Sequence, residues 1–189
     1  MNKKYRLSNV TKDYLSEFYD ILNDMIEGMT EAELTCSISN NFIVQMIPHH
    51  RAAIEMSHNI LKYTTNIPLQ DIATNIIEEQ TRSIKSMQEI QCSCSKRKNS
   101  RQDLYLYQRR VNNIMRTMFF EMENAAVTNQ INANFVREMI PHHKGAVKMS
   151  KNALQYDICP ELRPILEDII TSQEKGIRQM QSLLPNLKC

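Results

Sequence analysis

The sequence predicts an all-helical protein made of two copies of one unit, about three helices each, related by a pseudo-twofold axis and packed as a bundle. Three observations carry this. Helix breakers are scarce, with three Gly and six Pro in 189 residues, too few for the many turns of a sandwich or barrel. Apolar residues recur at three- and four-residue spacing over long stretches, the period of one helix face. Finally, Asn41 to His50 (NFIVQMIPHH) returns 93 positions later as Asn134 to His143 (NFVREMIPHH).

The 93-residue offset persists well beyond that segment. Met25 and Met29 fall on Met118 and Met122, and Ala53, Met56, Ser57, Asn59 and Leu61 on Ala146, Met149, Ser150, Asn152 and Leu154. Further on, Tyr63, Leu69, Ile72, Ile76, Gln80, Ile84 and Met87 meet Tyr156, Leu162, Ile165, Ile169, Gln173, Ile177 and Met180. A register kept this long without a gap is a duplication.

Each helix has its own signal. The first runs to about Thr30, its stripe formed by Tyr14, Phe18, Ile21, Leu22, Met25 and Met29. A second starts at Ser39 or Asn40, both suited to N-capping, and reaches about Tyr63. The third follows Pro68 and extends to about Ile90. The second copy repeats the pattern over about 102–129, 133–156 and 160–184. We therefore expect a first repeat over 1–91, a linker over 92–100 and a second repeat over 101–189. One-faced helices in each unit leave apolar stripes that docking of the two units would bury.

Composition narrows the function. A formal net charge of +2 from balanced signs lacks the concentrated basic face of a nucleic-acid binder. The basic cluster Lys96-Arg97-Lys98 with Arg101 reads as a solvated linker. No apolar run nears the roughly 20 residues of a membrane span, and no apolar stretch of leader type follows the basic start, so a cytoplasmic setting is expected. Five cysteines at irregular spacing are expected as free thiols. Cys92 and Cys94 are read as linker thiols; a Cys-x-Cys metal pair is the other reading.

The chemistry concentrates on the second helix of each copy. Met46, His49, His50, Ala53, Met56 and Ile60 share one side, as do Met139, His142, His143, Ala146, Met149 and Ala153 in the other copy. Imidazole and thioether together suit soft, late transition metals, Cu(I) above all. The candidate metal ligands are His49, His50, Met46, Met56, His142, His143, Met139 and Met149. Met25, Met29 and Met87, with Met118, Met122 and Met180, are further thioethers on neighbouring helices, and Gln80 is placed to orient a ring. Pro48 and Pro141 each delete a backbone donor, predicting a kink or a fresh helix start beside the histidines. Acids are not matched near the pairs: Gln45 faces Glu138, Glu55 faces Lys148, and Glu78 and Glu79 face Thr171 and Ser172. A di-iron carboxylate centre is thereby disfavoured. Without a positioned nucleophile or phosphate loop, hydrolysis and phosphoryl transfer have no support.

At these residues the chain resembles the DUF305 family. The resemblance rests on Met-Ile-Pro-His-His-x-x-Ala-[Ile/Val]-x-Met, here Met46 to Met56 and Met139 to Met149. A Gln-x-x-x-Ile-x-x-Met element follows, here Gln80, Ile84 and Met87, then Gln173, Ile177 and Met180. It covers almost the whole chain as two tandem copies. It implies a ferritin-like helical bundle and, for some members, copper binding and copper tolerance. Many members are exported and often carry a Trp after the last motif Met, and this chain shows neither feature.

Two readings follow. One is a non-enzymatic protein that binds or buffers copper through duplicated His-His/Met sites, with the metal ion as its partner and no nucleic-acid or membrane partner. The other is a helical structural or interaction module, compatible with a homo-oligomer, whose histidines are hydrogen-bonded core residues. A ferritin-like redox enzyme is a weaker third, opposed by the unmatched acids.

Overall fold

The computed structural model describes residues 6–187. The chain forms six helices: α1 (Asn9–Thr30), α2 (Ile38–Leu61), α3 (Ile67–Cys94), α4 (Arg101–Glu123), α5 (Ile131–Ala153) and α6 (Leu162–Leu183). A 3₁₀ turn, Leu184–Leu187, follows α6. No strand forms among the described residues, and the architecture is the all-helical bundle of two related halves that the sequence predicts.

Four of the six helix starts are set by short polar side chains that accept from otherwise orphaned backbone amides. Ser8 takes the Thr11 N–H, Ser37 that of Asn40, Asn66 that of Leu69 and Ser100 that of Asp103. The cap of α2 is thus Ser37, ahead of the expected Ser39 or Asn40. Helix α4 stops at Glu123, short of Asn129, and the Asn124 side chain that follows donates back to the Phe120 carbonyl. Helix α3 overruns its expected end and takes in the first three residues of the expected 92–100 linker.

Apolar faces decide the packing. Within each half, α2 packs on α1 and α3, and α5 packs on α4 and α6; the halves meet through α2 on α5 and α3 on α6. One continuous apolar core results, holding Phe18, Phe42 and Tyr107 together with Phe135, Leu166 and eleven methionines of the two copies. The duplication extends to polar detail. The Asn59 amide donates to the Tyr14 carbonyl and Asn152 to that of Tyr107. Likewise Thr35 N–H donates to Asn41 Oδ1 and Thr128 N–H to Asn134 Oδ1. Tyr14–Tyr63 and Tyr107–Tyr156 are matching edge-to-face pairs, each with centroids 5.7 Å apart.

Both prolines lie inside unbroken helices, so neither begins a new helix. On α2 the neighbouring helix fits the ring closely. A Cβ on Gly28 of α1 would lie 2.9 Å from the Pro48 Cβ, so only glycine allows α1 to approach there.

The expectation of free thiols fails at Cys94 and Cys159 and holds at Cys36 and Cys92, while Cys189 lies outside the described residues. Cys94 and Cys159 form a disulfide across 65 residues, while Cys36 and Cys92 are free and exposed. Cys92 and Cys94 are not a chelating pair, since residues two apart on a helix point roughly 200° apart. The spacing pattern could not reveal a partner 65 residues away.

Candidate functional site

Helices α2 and α5 cross at their histidines, and all four imidazoles are buried, none more than 2% exposed. The rings form a row. His49 and His142 stack at the centre with centroids 3.7 Å apart, and His50 and His143 flank them at 5.8 Å each. His49 Nε2 lies 3.2 Å from the His142 carbonyl oxygen, and His142 Nε2 lies 3.1 Å from that of His49. A carbonyl only accepts, so in both rings the proton sits on Nε2 and the lone pair on Nδ1. Neither Nδ1 has a hydrogen-bond partner, and both are buried.

The flanking rings break the symmetry. His50 Nε2 pairs with Ser83 Oγ of α3 at 3.1 Å. The residue matching Ser83 is Gly176 on α6, where a Cβ would lie 3.0 Å from His143 Cδ2 and 3.1 Å from its Nε2. One copy thus gives its outer histidine a hydroxyl, and the other gives it bare backbone. The sequence assigned ring orientation to Gln80. The structure gives it to Ser83, and both amide atoms of the buried Gln80 are unpartnered.

Burial keeps the row neutral. Desolvation, then the neighbouring imidazoles, lower the pKa of His49 and His143 well below the usual 6.5; at His143 the Met139 carbonyl opposes this in part. Desolvation takes His50 down to about 3, with His142 adding to it, and His142 itself down to about 4. Neutral imidazole is the form that binds metal.

Every methionine singled out from the sequence is buried in the same core. Met46, Met56, Met139 and Met149 lie on the histidine helices, Met25, Met29, Met118 and Met122 on α1 and α4, and Met87 and Met180 on α3 and α6. Met118 nests on α5 so closely that a Cβ at Gly145, two residues after His143, would lie 2.1 Å from its Sδ. Among the described residues no three histidines bring a ring nitrogen each within 4.8 Å of one another. An ion with three or more protein ligands here would draw on methionine sulfur as well as nitrogen. From solvent, the row is approached by a cleft of about 400 Å³ between α3 and α6, bounded by His50, Gln80, Ser83, Ile169 and Gln173.

Spacing did not reveal a second polar feature, because its partners lie in different copies. Tyr14 donates to Glu138 Oε2 at 2.5 Å, both groups buried. Desolvation raises the Glu138 pKa to about 7, although the Tyr14 bond and Arg137 pull the other way. The matching positions, Tyr107 and Gln45, leave the hydroxyl and the Gln Oε1 without partners. Only the unmatched acid opposite a tyrosine hinted at this pair.

Fold and site together define a class: a duplicated helical bundle with a neutral, buried imidazole row embedded in thioethers. The chain belongs to the DUF305 family; the family model, a domain of unknown function, matches residues 39–184. Among solved structures it is similar to CopM in the Ag-bound form, at 30% identity and TM-score 0.59, covering 80% of this chain and 97% of that one. CopM in the Cu(II)-bound form aligns at 29% identity and TM-score 0.59, covering 78% and 96%. A DUF305 fragment from Deinococcus radiodurans shares the fold at 22% identity and TM-score 0.57, covering 79% and 96%. No curated protein matches the chain. No helix among the described residues is long and apolar enough to cross a membrane.

Proposed function

We propose that this protein binds a soft metal ion, copper in its Cu(I) state, at the crossing of α2 and α5. His49, His50, His142 and His143 with Met46, Met56, Met139 and Met149 are the donor pool, and the role is sequestration or buffering. The observation that carries this is the pair of buried, unpartnered Nδ1 lone pairs on His49 and His142. A buried polar atom normally finds a partner, and a bare imidazole nitrogen among thioethers is a ligand set for a soft ion. Similarity to CopM structures that contain Ag or Cu(II) supports the same reading.

Cu(I) titration of the metal-free protein against a competing chelator tests it. Wild type should take up the ion, and the fourfold His→Ala variant should lose that binding. Because four truncations in a core can unfold it, Met46→Leu with Met139→Leu is the second arm, since it removes two thioethers at nearly constant volume. Unchanged Cu(I) affinity in both folded variants would refute the proposal.

The reciprocal His49–His142 hydrogen bonds favour a second reading, in which the histidines lock the two halves together in a structural module. That reading expects the His variant to melt several degrees lower with its metal uptake unchanged.

A further inference from the structure

We infer that Cys94, Cys159 and Glu161 form, once their disulfide is reduced, a second metal site of two thiolates and a carboxylate, suited to a borderline divalent ion such as Zn(II). It is separate from the histidine row and from the duplicated pattern: the matching positions are Leu187 for Cys94 and Asn66 for Cys159.

The two sulfurs and a Glu161 oxygen all lie within 4.8 Å of one another. Glu161 Oε2 sits 2.8 Å from Cys159 Sγ. A disulfide sulfur carries no proton, so no hydrogen bond explains this contact in the oxidised state. A shared cation, or a thiol proton, would. The Glu161 carboxylate is also not spent on capping α6, whose start it occupies without a side-chain cap bond.

The cluster does not depend on the S–S bond for its shape. Ser37 Oγ donates to the Cys94 carbonyl at 2.9 Å, and the Cys159 N–H donates to Ser39 Oγ at 2.9 Å, so both cysteines are pinned to the start of α2. Arg97 pairs with Asp157, and Asn99 Nδ2 donates to the Asp157 carbonyl at 2.7 Å, tying the same two segments again. Reduction therefore leaves two thiols facing each other. Both are buried while Glu161 is exposed, giving a site open on one side.

The donor set selects the ion. Two thiolates and one carboxylate satisfy three positions of tetrahedral Zn(II), with water as the fourth ligand. A carboxylate is a poor partner for Cu(I), so this site and the His-Met face take different metals. The balance is simple. A dithiol reductant gives two electrons and two protons to the disulfide and becomes a cyclic disulfide. The ion then displaces the two thiol protons, which pass to buffer. The site exists only in the reduced protein.

Co(II), a spectroscopic stand-in for Zn(II), tests this on the full chain. The reduced protein, freed of reductant, should show a thiolate-to-cobalt charge-transfer band saturating at one equivalent, and the oxidised protein should not. Cys159→Ser should abolish the band, Glu161→Gln should weaken binding roughly tenfold or more, and the fourfold His→Ala variant should keep it. Retention there separates this site from the His-Met proposal. In reduced wild type, Zn(II) should protect Cys94 and Cys159 from alkylation while exposed Cys36 and Cys92 stay reactive, read by peptide mass spectrometry without any variant. Absence of the band from reduced wild type, its survival in Cys159→Ser, unchanged affinity in Glu161→Gln, or no protection of the two cysteines would each overturn the inference.

Discussion

Replacing Glu138 by Gln should make the protein gain stability relative to wild type as pH rises from 5 to 8. The folded chain raises the Glu138 pKa from 4.5 to about 7, chiefly by desolvation. The sign follows from which state holds the proton. The folded carboxyl is the stronger proton binder, so between pH 4.5 and 7 the native state carries a proton that the unfolded chain has lost. Stability from this group is complete below pH 4.5 and is lost as pH rises to 7. At 1.36 kcal/mol per pH unit, the full loss is about 3 kcal/mol. Gln cannot titrate, and the second repeat would then match the first, where Gln45 already occupies this position. The Gln amide can still accept from Tyr14, and any difference in that bond adds an offset independent of pH. The stability difference, variant minus wild type, should therefore grow by about 3 kcal/mol between pH 5 and pH 8, or roughly 6–12 °C in melting temperature for a chain of this size. Urea and thermal melts of the metal-free protein at pH 5, 6, 7 and 8 read this directly, because the histidine titrations common to both proteins cancel. A difference that does not change with pH, or that falls as pH rises, would refute the assignment of a protonated Glu138.

The histidine row makes the opposite prediction for acid. Its folded pKa values lie below 6.5, reaching about 4 at His142 and about 3 at His50, so its contribution is complete above pH 6.5 and is lost as pH falls. By pH 4 each of these two rings alone costs up to about 3 kcal/mol. The urea midpoint of wild type should drop steeply from pH 6.5 to pH 4, and His50→Gln should flatten that drop; an unchanged slope would count against a neutral buried row. Two glycine substitutions probe the packing around the site. In Gly176→Ala the new Cβ meets the His143 ring at 3.0 Å, and in Gly145→Ala it lies 2.1 Å from Met118 Sδ. Overpacking of about 1–3 kcal/mol should outweigh the gain of about 1 kcal/mol in helix propensity. Both variants should melt lower, with shifted His143 ring resonances in Gly176→Ala; a net rise in melting temperature would show that these contacts yield freely.

Much of the bundle was legible because duplication and helical period are local signals. Met46, His49 and Met56 fall on one face whatever surrounds them, and their burial followed. Helix ends were less legible, since Ser37 and Ser39 are equally good caps in isolation and only packing selects one. The candidate site was half legible. The eight ligand candidates and the six further methionines all lie in one core, but spacing could not say that His49 and His142 would stack, that Ser83 would engage His50 where Gln80 had been expected, or that Tyr14 would meet Glu138 across the repeats.

By itself the sequence determined the helical class, the twofold repetition, the family and the face that carries imidazole and thioether. These follow from the order of residues along single helices. Tertiary structure alone decided which nitrogens carry protons, which acid is held neutral, and that Cys94 pairs with Cys159. The ring protons and the disulfide each depend on a partner more than 60 residues away in sequence, whereas Glu138 is held neutral by burial in the assembled core. Burial and the partner it brings close settle where a proton or a bond resides.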